Sequence, residues 1–497
     1  MTNAANDLYK LPCHFGIAID HLRRTQPAIY LVGGVIRNTL LGQKTTDLDV
    51  AVVGDGLQIG ALTAKHLGGK YIELDRERRI ARVILKGPET LQIDITSAVK
   101  GIEMDLYNRD FTINAMAVDI DQITENLLFA KQSIVDPYNG YRDLSAGLIK
   151  AVSEISLVSD PVRMMRAIRF SANPQFKIEN CTQQDIKTNA ILLKDVSPER
   201  TRDEFLKILG THRAYPSLIL MNKMGITEQI IPELIPTKGV TQPPLHFWDV
   251  FDHTIETVGN LEKMIPTQHN FKNSDSNVFN SVPLFEGIEG YFQQNIGDGH
   301  TRLTACKLAC LLHNIGKPST QTENKDGSVR FLGHAEVGAE IATQILKRLR
   351  VSKTMSTLVC QQIKHHLRPS QLAPEGRLPS PKSIYRYYKD VGAAATDTLY
   401  LNMANYLSTK SPALKVKEWE TYCEVIKHVI NEGLIENSPT TCNKLLSGHD
   451  IMERLCLKPG PLIGVLLDKV EEARFEQKIK DREDAIRFLE NQLKSGE

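Results

Sequence analysis

The chain has 497 residues, 41% hydrophobic and 24% charged, with a formal net charge of +1. That length exceeds one ordinary core and calls for about two to four domains. No apolar stretch is long enough to span a bilayer, no basic region followed by an apolar run opens the chain, and eight scattered cysteines without a C-x-x-C pair argue against a disulfide framework, so a reducing cytoplasm is expected. The near-zero charge neither supports nor excludes a nucleic-acid partner. Any RNA surface has to be a local patch.

In chain order, four segments read as strands: Ala28–Gly34, Asp47–Gly54, Arg82–Gly87 and Leu91–Thr96, each rich in β-branched residues and bounded by turn formers. Helical patterns lie between them in VIRNTLLG and GLQIGALTAKHLGG. Beyond about residue 155 strand signals fade, and apolar residues recur at three- and four-residue spacing, as in RMMRAIRFSA and RDEFLKILG. The polar stretch Thr267–His300 reads as an insertion loop, and Arg368–Ser383 as a proline-rich break. Cys306 and Cys310, four apart in an apolar helical segment, read as core residues. The end of the chain is helical and highly charged.

The densest chemistry lies in LVGGVIRNTLLGQKTTDLDVAVVG. Asp47 and Asp49 are two apart in a strand, so both side chains leave one face. Two carboxylates so placed repel unless a cation lies between them. Mg²⁺ suits them, since it takes a few carboxylates plus substrate phosphates. Gly33 and Gly34 follow a strand and precede a helix, a turn whose N–H groups can approach a triphosphate, with Arg37 one helical turn on. Asp94 alternates with Ile93 and Ile95 and is expected to join the first two carboxylates. Together these residues make a site for in-line phosphoryl transfer. A D-x-D or a Gly pair alone is ordinary turn chemistry; their combination carries the reading.

GG-x-x-R, D-x-D, NRDFTINAMAVD (Asn108–Asp119), DPYNGYRDL (Asp136–Leu144), DPVRMMRAIRF (Asp160–Phe170) and ERTRDEFLKIL (Glu199–Leu209) occur in that order. This series resembles the class II tRNA nucleotidyltransferases and the related bacterial poly(A) polymerases over about residues 28–210. The resemblance implies metal binding by Asp47 and Asp49, with Asp94 as a third catalytic carboxylate. It implies nucleotide contacts from Gly33, Gly34, Arg37, Arg109, Asp110 and Asn114, and a protein template made by Asp160 and Arg163. An Asp accepts from the exocyclic amine of C or A while an Arg donates to a ring nitrogen or carbonyl; U and G lack that arrangement. Arg166 and Arg169 follow on the next turn, placed for phosphate or RNA. The bland role of Asp160-Pro161 is a helix start.

Three positions depart from the family pattern: Asn38 and Ser159 stand where acidic residues are usual, and Asn108 where an Arg is usual. None is a metal ligand. The segment between Asp94 and Arg109 is also short. Full CCA-adding relatives often carry a longer flexible loop there, and relatives adding only CC tend to lack it.

HFWDVFDHTIETV (His246–Val258), LACLLHNIGKP (Leu308–Pro318), GHAEVGAE (Gly333–Glu340) and KHHL (Lys364–Leu367) resemble an HD phosphohydrolase domain. His253 and His313 remain, but Asn314 and Asn405 stand where metal-binding Asp residues are usual. A neutral amide is a far weaker ligand for a hard divalent ion, so a degenerate domain with a structural or RNA-binding role is expected. His334, His365 and His366 are candidates for a residual metal site, or ordinary half-buried helix residues. The basic residues of LKRLRVSK and of SIYRYYK, with its interleaved tyrosines, are candidates for tracking an RNA backbone.

The expected fold is α+β: a mixed-sheet nucleotidyltransferase head (1–150), then an all-helical neck (151–240), HD-like body (241–410) and tail (411–497). The expected activity is transfer of CTP- and ATP-derived nucleotides to a tRNA 3′ end with Mg²⁺, without a membrane partner. A poly(A) polymerase is the alternative within the family. An HD-type phosphohydrolase and a non-catalytic RNA-binding protein are the alternatives outside it; Asn314 and Asn405 oppose the first, the Asp47/Asp49 pair the second.

Overall fold

The computed structural model describes residues 8–25, 28–87, 90–243, 246–266, 277–372, 377–410, 412–434, 445–476 and 478–494. It divides into two compact units, Met1–Val196 with Met224–Ile226, and Ser197–Lys223 with Thr227–Glu497.

The first unit is built on a seven-stranded mixed sheet. Its strands are β1 (Ile29–Val32), β2 (Asp47–Val52), β3 (Lys70–Asp75), β4 (Ile80–Leu85), β5 (Leu91–Ser97), β6 (Ala117–Asp119) and β7 (Ile134–Val135), in the order β3-β4-β5-β2-β1-β6-β7. Only β2 and β5 pair in parallel; the other neighbours are antiparallel. Along β2 the period of two puts Leu48, Val50 and Val52 on one face, all buried. Asp47, Asp49 and Ala51 take the other, where Ala51 joins a core of small residues with Ala98, Ala115 and Ala117. Helix α1 (Gly34–Leu40) follows β1 through a turn at Gly33, whose φ of +70° suits glycine. Helix α2 (Gly56–Leu67) is capped by Asp55, which accepts from the backbone N–H of Leu57 and Gln58 at 3.0 and 3.3 Å.

All four segments expected as strands lie in this sheet. Strand β3 was not anticipated, because KYIELD has no apolar alternation: it is an edge strand with no fully buried residue. The unit ends in helices, among them α3 (Val162–Ser171), whose Val162, Met164, Met165, Ala167 and Ile168 are buried. Pro161, with φ −61°, is the N-cap residue of this helix.

The second unit is mainly helical, with α4 (Pro198–Gly210), α5 (Val250–Met264), α6 (Arg302–Leu312), α7 (His334–Arg348), α8 (Lys353–His365), α9 (Pro381–Val391), α10 (Ala395–Lys410) and α11 (Pro461–Phe475) among its elements. Helix α5 packs along α10. Every residue of α6 is buried, so Cys306 and Cys310 are core residues, as expected. The charges on this helix are paired: Arg302 Nε lies 3.3 Å from Asp397 and Lys307 Nζ 2.8 Å from Glu262. A tail cluster of Leu446, Ile451, Leu466, Val470 and Leu489 forms a core of its own.

Three expectations change. The stretch read as an insertion loop carries short helices at Asn277–Asn280 and Ile288–Gln293 and a hairpin of Asn295–Gly297 with His300–Thr301; residues 267–276 of it lie outside the described residues. Its polar surface hid buried Ile288 and Phe292. In the proline-rich break, Arg368–Gln371 and α9 are helical, and residues 373–376 lie outside the described residues. In SIYRYYK the tyrosines 385, 387 and 388 are buried, while Lys382 and Arg386 reach Glu472 at 2.8 and 3.3 Å and Lys389 reaches Asp468 at 2.6 Å. That stripe is packing and ion pairing, not an exposed stacking platform. Within LKRLRVSK, Arg348 pairs with Glu233 at 2.7 Å and Arg350 with Glu199.

Candidate active site

The parallel pairing of β2 and β5 sets Asp49 directly beside Asp94. Partners in register share a face, so Asp47, Asp49 and Asp94 converge. Asp47 is exposed at the start of its strand and Asp49 is half buried. Burial, Asp94 and Asp47 push the Asp49 carboxyl above its ordinary value, against Arg109 and the Gly34 N–H, which donates to Oδ2 at 3.1 Å. A carboxylate raised by its neighbours is a place for a cation. Asp94 is differently occupied: Arg82, opposite it on β4, donates Nε to Oδ1 at 2.7 Å and Nη2 to Oδ2 at 2.8 Å. Asp47 and Asp49 therefore fit a divalent ion that takes its other ligands from phosphate and water. Among the described residues no group of three or more His, Cys, Asp or Glu is gathered to hold a metal.

The glycine turn fits because it is bare. A Cβ on Gly33 would lie 2.5 Å from Arg109 Nη1 and 3.3 Å from Asp49 Oδ2, and one on Gly34 would lie 3.2 Å from the same oxygen. Opposite the carboxylates stands a cationic wall. Arg37 donates to Asn114 Oδ1 and, at 2.8 Å, to Asn38 Oδ1; burial pushes its pKa down to about 10. Arg37 lies 4.8 Å and Arg169 4.6 Å from the centre of the Phe170 ring. Arg109 is held by Asp105 at 2.9 Å. These groups line a cleft of about 380 Å³ with Asp49 and Asp94.

Asp110 also reaches this cleft, but its carboxylate faces protein. Phe111 N–H and Asn114 Nδ2 donate to it at 2.8 and 2.9 Å, and Arg166 Nη2 lies 2.7 Å away. Although burial acts the other way, these partners hold its carboxyl below the ordinary value. Its geometry is that of a positioning group for Asn114 and Arg166.

Of the expected residues the cleft gathers Gly33, Gly34, Arg37, Asp49, Asp94, Arg109, Asp110, Asn114, Arg166 and Arg169, while Asp47, Asp160 and Arg163 are not among its lining residues. Arg163 Nε faces Asp160 at 3.8 Å. Its Nη1 donates to the carbonyls of Arg109 and Ser156, both at 3.2 Å, and its Nη2 to the carbonyl of Asn108 at 2.7 Å. It clamps the start of α3 to the segment that carries Arg109 and Asp110. Arg82, Asp105, Ser156 and Phe170 were not singled out from the sequence. Phe170 stood inside a recognised motif, and Asp105 four residues before Arg109; Arg82 and Ser156 become visible only through strand register and chain crossing.

Three family descriptions match the chain: "Poly A polymerase head domain" over residues 29–150, "Probable RNA and SrmB- binding site of polymerase A" over 175–237, and "HD domain" over 288–404. An A-adding tRNA nucleotidyltransferase of Deinococcus radiodurans is 29% identical over 93% of this chain and 95% of its own length. A CC-adding tRNA nucleotidyltransferase of Thermus thermophilus is 29% identical over 92% of both chains. The chain matches the class II tRNA nucleotidyltransferase and poly(A) polymerase family. In fold it resembles the solved CCA-adding enzyme of Thermotoga maritima complexed with tRNA, at TM-score 0.57 and 23% identity over 94% of this chain and 91% of that one. It also resembles an apo CCA-adding enzyme, at TM-score 0.61 and 22% identity over 95% and 92%. Like the family resemblance, the α+β architecture expected from the sequence holds. Among the described residues no helix is long and apolar enough to cross a membrane.

The four residues His253, His313, Asn314 and Asn405 do not fit the divalent ion that an HD domain implies at those positions. His313 Nδ1 donates to the Cys310 carbonyl at 2.7 Å, leaving Nε2 as the acceptor, and the Asn314 amide donates to that nitrogen at 2.7 Å. His253 Nε2 meets Asn405 Oδ1 at 2.8 Å, and because an amide oxygen only accepts, His253 carries its proton there. The lone pairs a metal would take are thus a bonded acceptor on one ring and an N–H on the other. Burial pushes both histidines well below their ordinary values, and no carboxylate balances a cation among these four residues.

Proposed function

We propose that this protein adds CTP- and ATP-derived nucleotides to the 3′ end of tRNA without a nucleic-acid template. The observation that carries the reading is the pairing of Asp49 with Asp94 beside Asp47, facing the Gly33–Gly34 turn. Bound Mg²⁺ supplies neutralisation of charge on the α-phosphate and the leaving pyrophosphate. Asp47 and Asp49 would hold it; Asp94, fixed by Arg82, stands beside them. Gly33 and Gly34 let the triphosphate approach the backbone, while Arg37, Arg109, Arg166 and Arg169 face its oxygens and Asn114 the sugar. The RNA 3′-hydroxyl attacks the α-phosphate and pyrophosphate leaves. Base selection falls to Asp160 and to Arg163, whose Nε faces Asp160 and whose Nη2 has one N–H beyond the backbone clamp. Residues 1–150 form the transferring head and 151–240 the selecting neck; 241–410 and 411–497, body and tail, hold tRNA in the cytoplasm.

A finer reading, addition of CC alone, is favoured by one observation: only residues 98–101 join β5 to the helix Ile102–Tyr107, leaving no room for a long flexible loop. Incubation with tRNA lacking its 3′ end, Mg²⁺ and labelled nucleotides singly or paired, resolved at single-nucleotide length, separates the cases. CC without A supports the short-loop reading, CCA keeps the function and removes that reading, and a long A ladder makes the protein a poly(A) polymerase. No incorporation sinks the transferase reading.

A further inference from the structure

The turn between β3 and β4 reads Arg76-Glu77-Arg78-Arg79, and all four residues are exposed. Ile80 opens β4 opposite Thr96 of β5, and both line the cleft. Two residues further on, Arg82 stands opposite Asp94. The backbone of the turn is fixed: Asp75 Oδ1 accepts from the Arg78 N–H at 2.9 Å, and the Arg79 carbonyl accepts from Ser97 Oγ at 3.3 Å. Its guanidiniums are held loosely. Arg78 lies 3.8 Å from Asp75 and Arg79 3.7 Å from Asp55, with the arginine side chains 74% and 52% exposed. Such exposed pairs are weak and readily exchanged. The charge of the turn also reaches the neck. Arg163 is pushed below its ordinary value by burial first and, among charges, by Arg166 and Arg78, against Asp110 and Asp160.

Strand direction gives the turn its place along the site. Strand β1 runs antiparallel to β2 with Leu31 beside Val50, so the Gly33–Gly34 turn lies at the start of β2, where Gly34 meets Asp49. Strand β5 runs parallel to β2 and antiparallel to β4, so the arginine turn lies by the ends of β2 and β5. Asp49 and Asp94 stand between the two turns. At a rise of about 3.3 Å per residue, Thr96 and Ile80 are roughly 7 Å beyond Asp94. In-line transfer needs the attacking hydroxyl on the side of the α-phosphorus opposite the leaving pyrophosphate. With the triphosphate at the glycine turn, that side faces the arginine turn.

We propose that the Arg76–Arg79 turn holds the backbone phosphates just before the RNA 3′ end and so sets the terminal hydroxyl in line with the α-phosphate. The proposal rests on the transferase reading. A guanidinium presents paired N–H donors that match phosphate oxygens, and exchanging Asp75 or Asp55 for a phosphate leaves no arginine unmatched.

The test measures incorporation from CTP into tRNA lacking its 3′ end by the full chain, varying tRNA at saturating CTP and CTP at saturating tRNA. Arg76→Ala with Arg78→Ala is expected to raise the KM for tRNA by about tenfold and to leave the KM for CTP within about twofold. Binding of the same tRNA, followed by fluorescence anisotropy, should lose about 1.4 from its slope of log K against log salt, roughly 0.7 for each contact with a single strand. Arg78→Lys, which keeps the charge, should raise the KM for tRNA less than Arg78→Gln does. Arg78→Gln decides the matter if the double variant fails to fold. An unchanged KM for tRNA and an unchanged salt slope, with the parent active, overturn this proposal and leave the transferase reading standing. A rise in the KM for CTP alone would assign the turn to the triphosphate and overturn it as well. A parent that incorporates nothing overturns both.

Discussion

The head cleft and the body pocket solve opposite problems with similar parts. In the head, carboxylates are crowded until Asp49 is pushed above its ordinary value, and the structure leaves Asp47 and Asp49 open to a cation. In the body, histidines and Lys317 are crowded until burial pushes them down, and amides stand where acids would balance them. The same force, desolvation, acts on groups of opposite charge. The charge of the groups in a cleft tells whether it takes a metal more directly than fold does, since both an HD fold and a polymerase head imply metal but only one holds carboxylates for it.

The sharpest way to break this comparison is to remove the head's cation site. Asp49→Ala is expected to lower nucleotide incorporation by at least about a thousandfold, the several kcal/mol that metal stabilisation of transferring phosphate provides. Circular dichroism should stay unchanged, since the side chain accepts a single backbone N–H. Residual activity within about tenfold of the parent would place the metal elsewhere. Next in size is the reverse experiment in the body. Asn314→Asp with Asn405→Asp, in a chain already carrying Asp47→Ala and Asp49→Ala, restores carboxylates beside His253 and His313. Mn²⁺ affinity measured by calorimetry should then rise by roughly a hundredfold or more. No gain would mean that more than two amides separates this pocket from a metal centre.

Much of the head was legible because its information is local. The period of two in DLDVAV places Asp47 and Asp49 on one face, and the same rule turns Asp94 away from Ile93 and Ile95. What was not legible depends on partners far along the chain. Arg82 meets Asp94 only through the register of β4 and β5. Arg163 is aimed at the carbonyls of Asn108 and Arg109, backbone groups that no motif displays. The tyrosines of SIYRYYK read as a stacking surface because aromatic residues among basic ones look alike whether they face water or the tail helix. The Asn substitutions in the body were legible, but not their consequence: the bonds of Asn314 to His313 and of Asn405 to His253 required three dimensions.

A smaller effect probes the glycine turn. Gly33→Ala forces a residue with a side chain to φ +70° and puts a methyl 2.5 Å from Arg109 Nη1. The backbone cost is about 1–3 kcal/mol, and moving Arg109 should raise the KM for nucleotide more than it lowers thermal stability. A loss of stability with KM unchanged would make the turn structural and detach it from the triphosphate.

The smallest effect compares the two regions through pH. His253 and His313 are held neutral by burial, aided by Lys317 and, for His253, by His246 and His366. Their folded values lie below the ordinary 6.5, so the unfolded state takes up protons first as pH falls. Stability present above pH 6.5 is therefore lost on acidification, by about half a kcal/mol per histidine between pH 7 and 6. Asp49 runs the other way: its folded value is raised, so proton uptake favours the folded head as pH falls through that value. Both tryptophans, Trp248 and Trp419, lie in the second unit, so urea titrations followed by tryptophan fluorescence report the body alone. The midpoint should fall from pH 7 to 6. A midpoint that rises over this range would mean the histidines gain partners on protonation, and the body would then resemble the head in balancing its own charge.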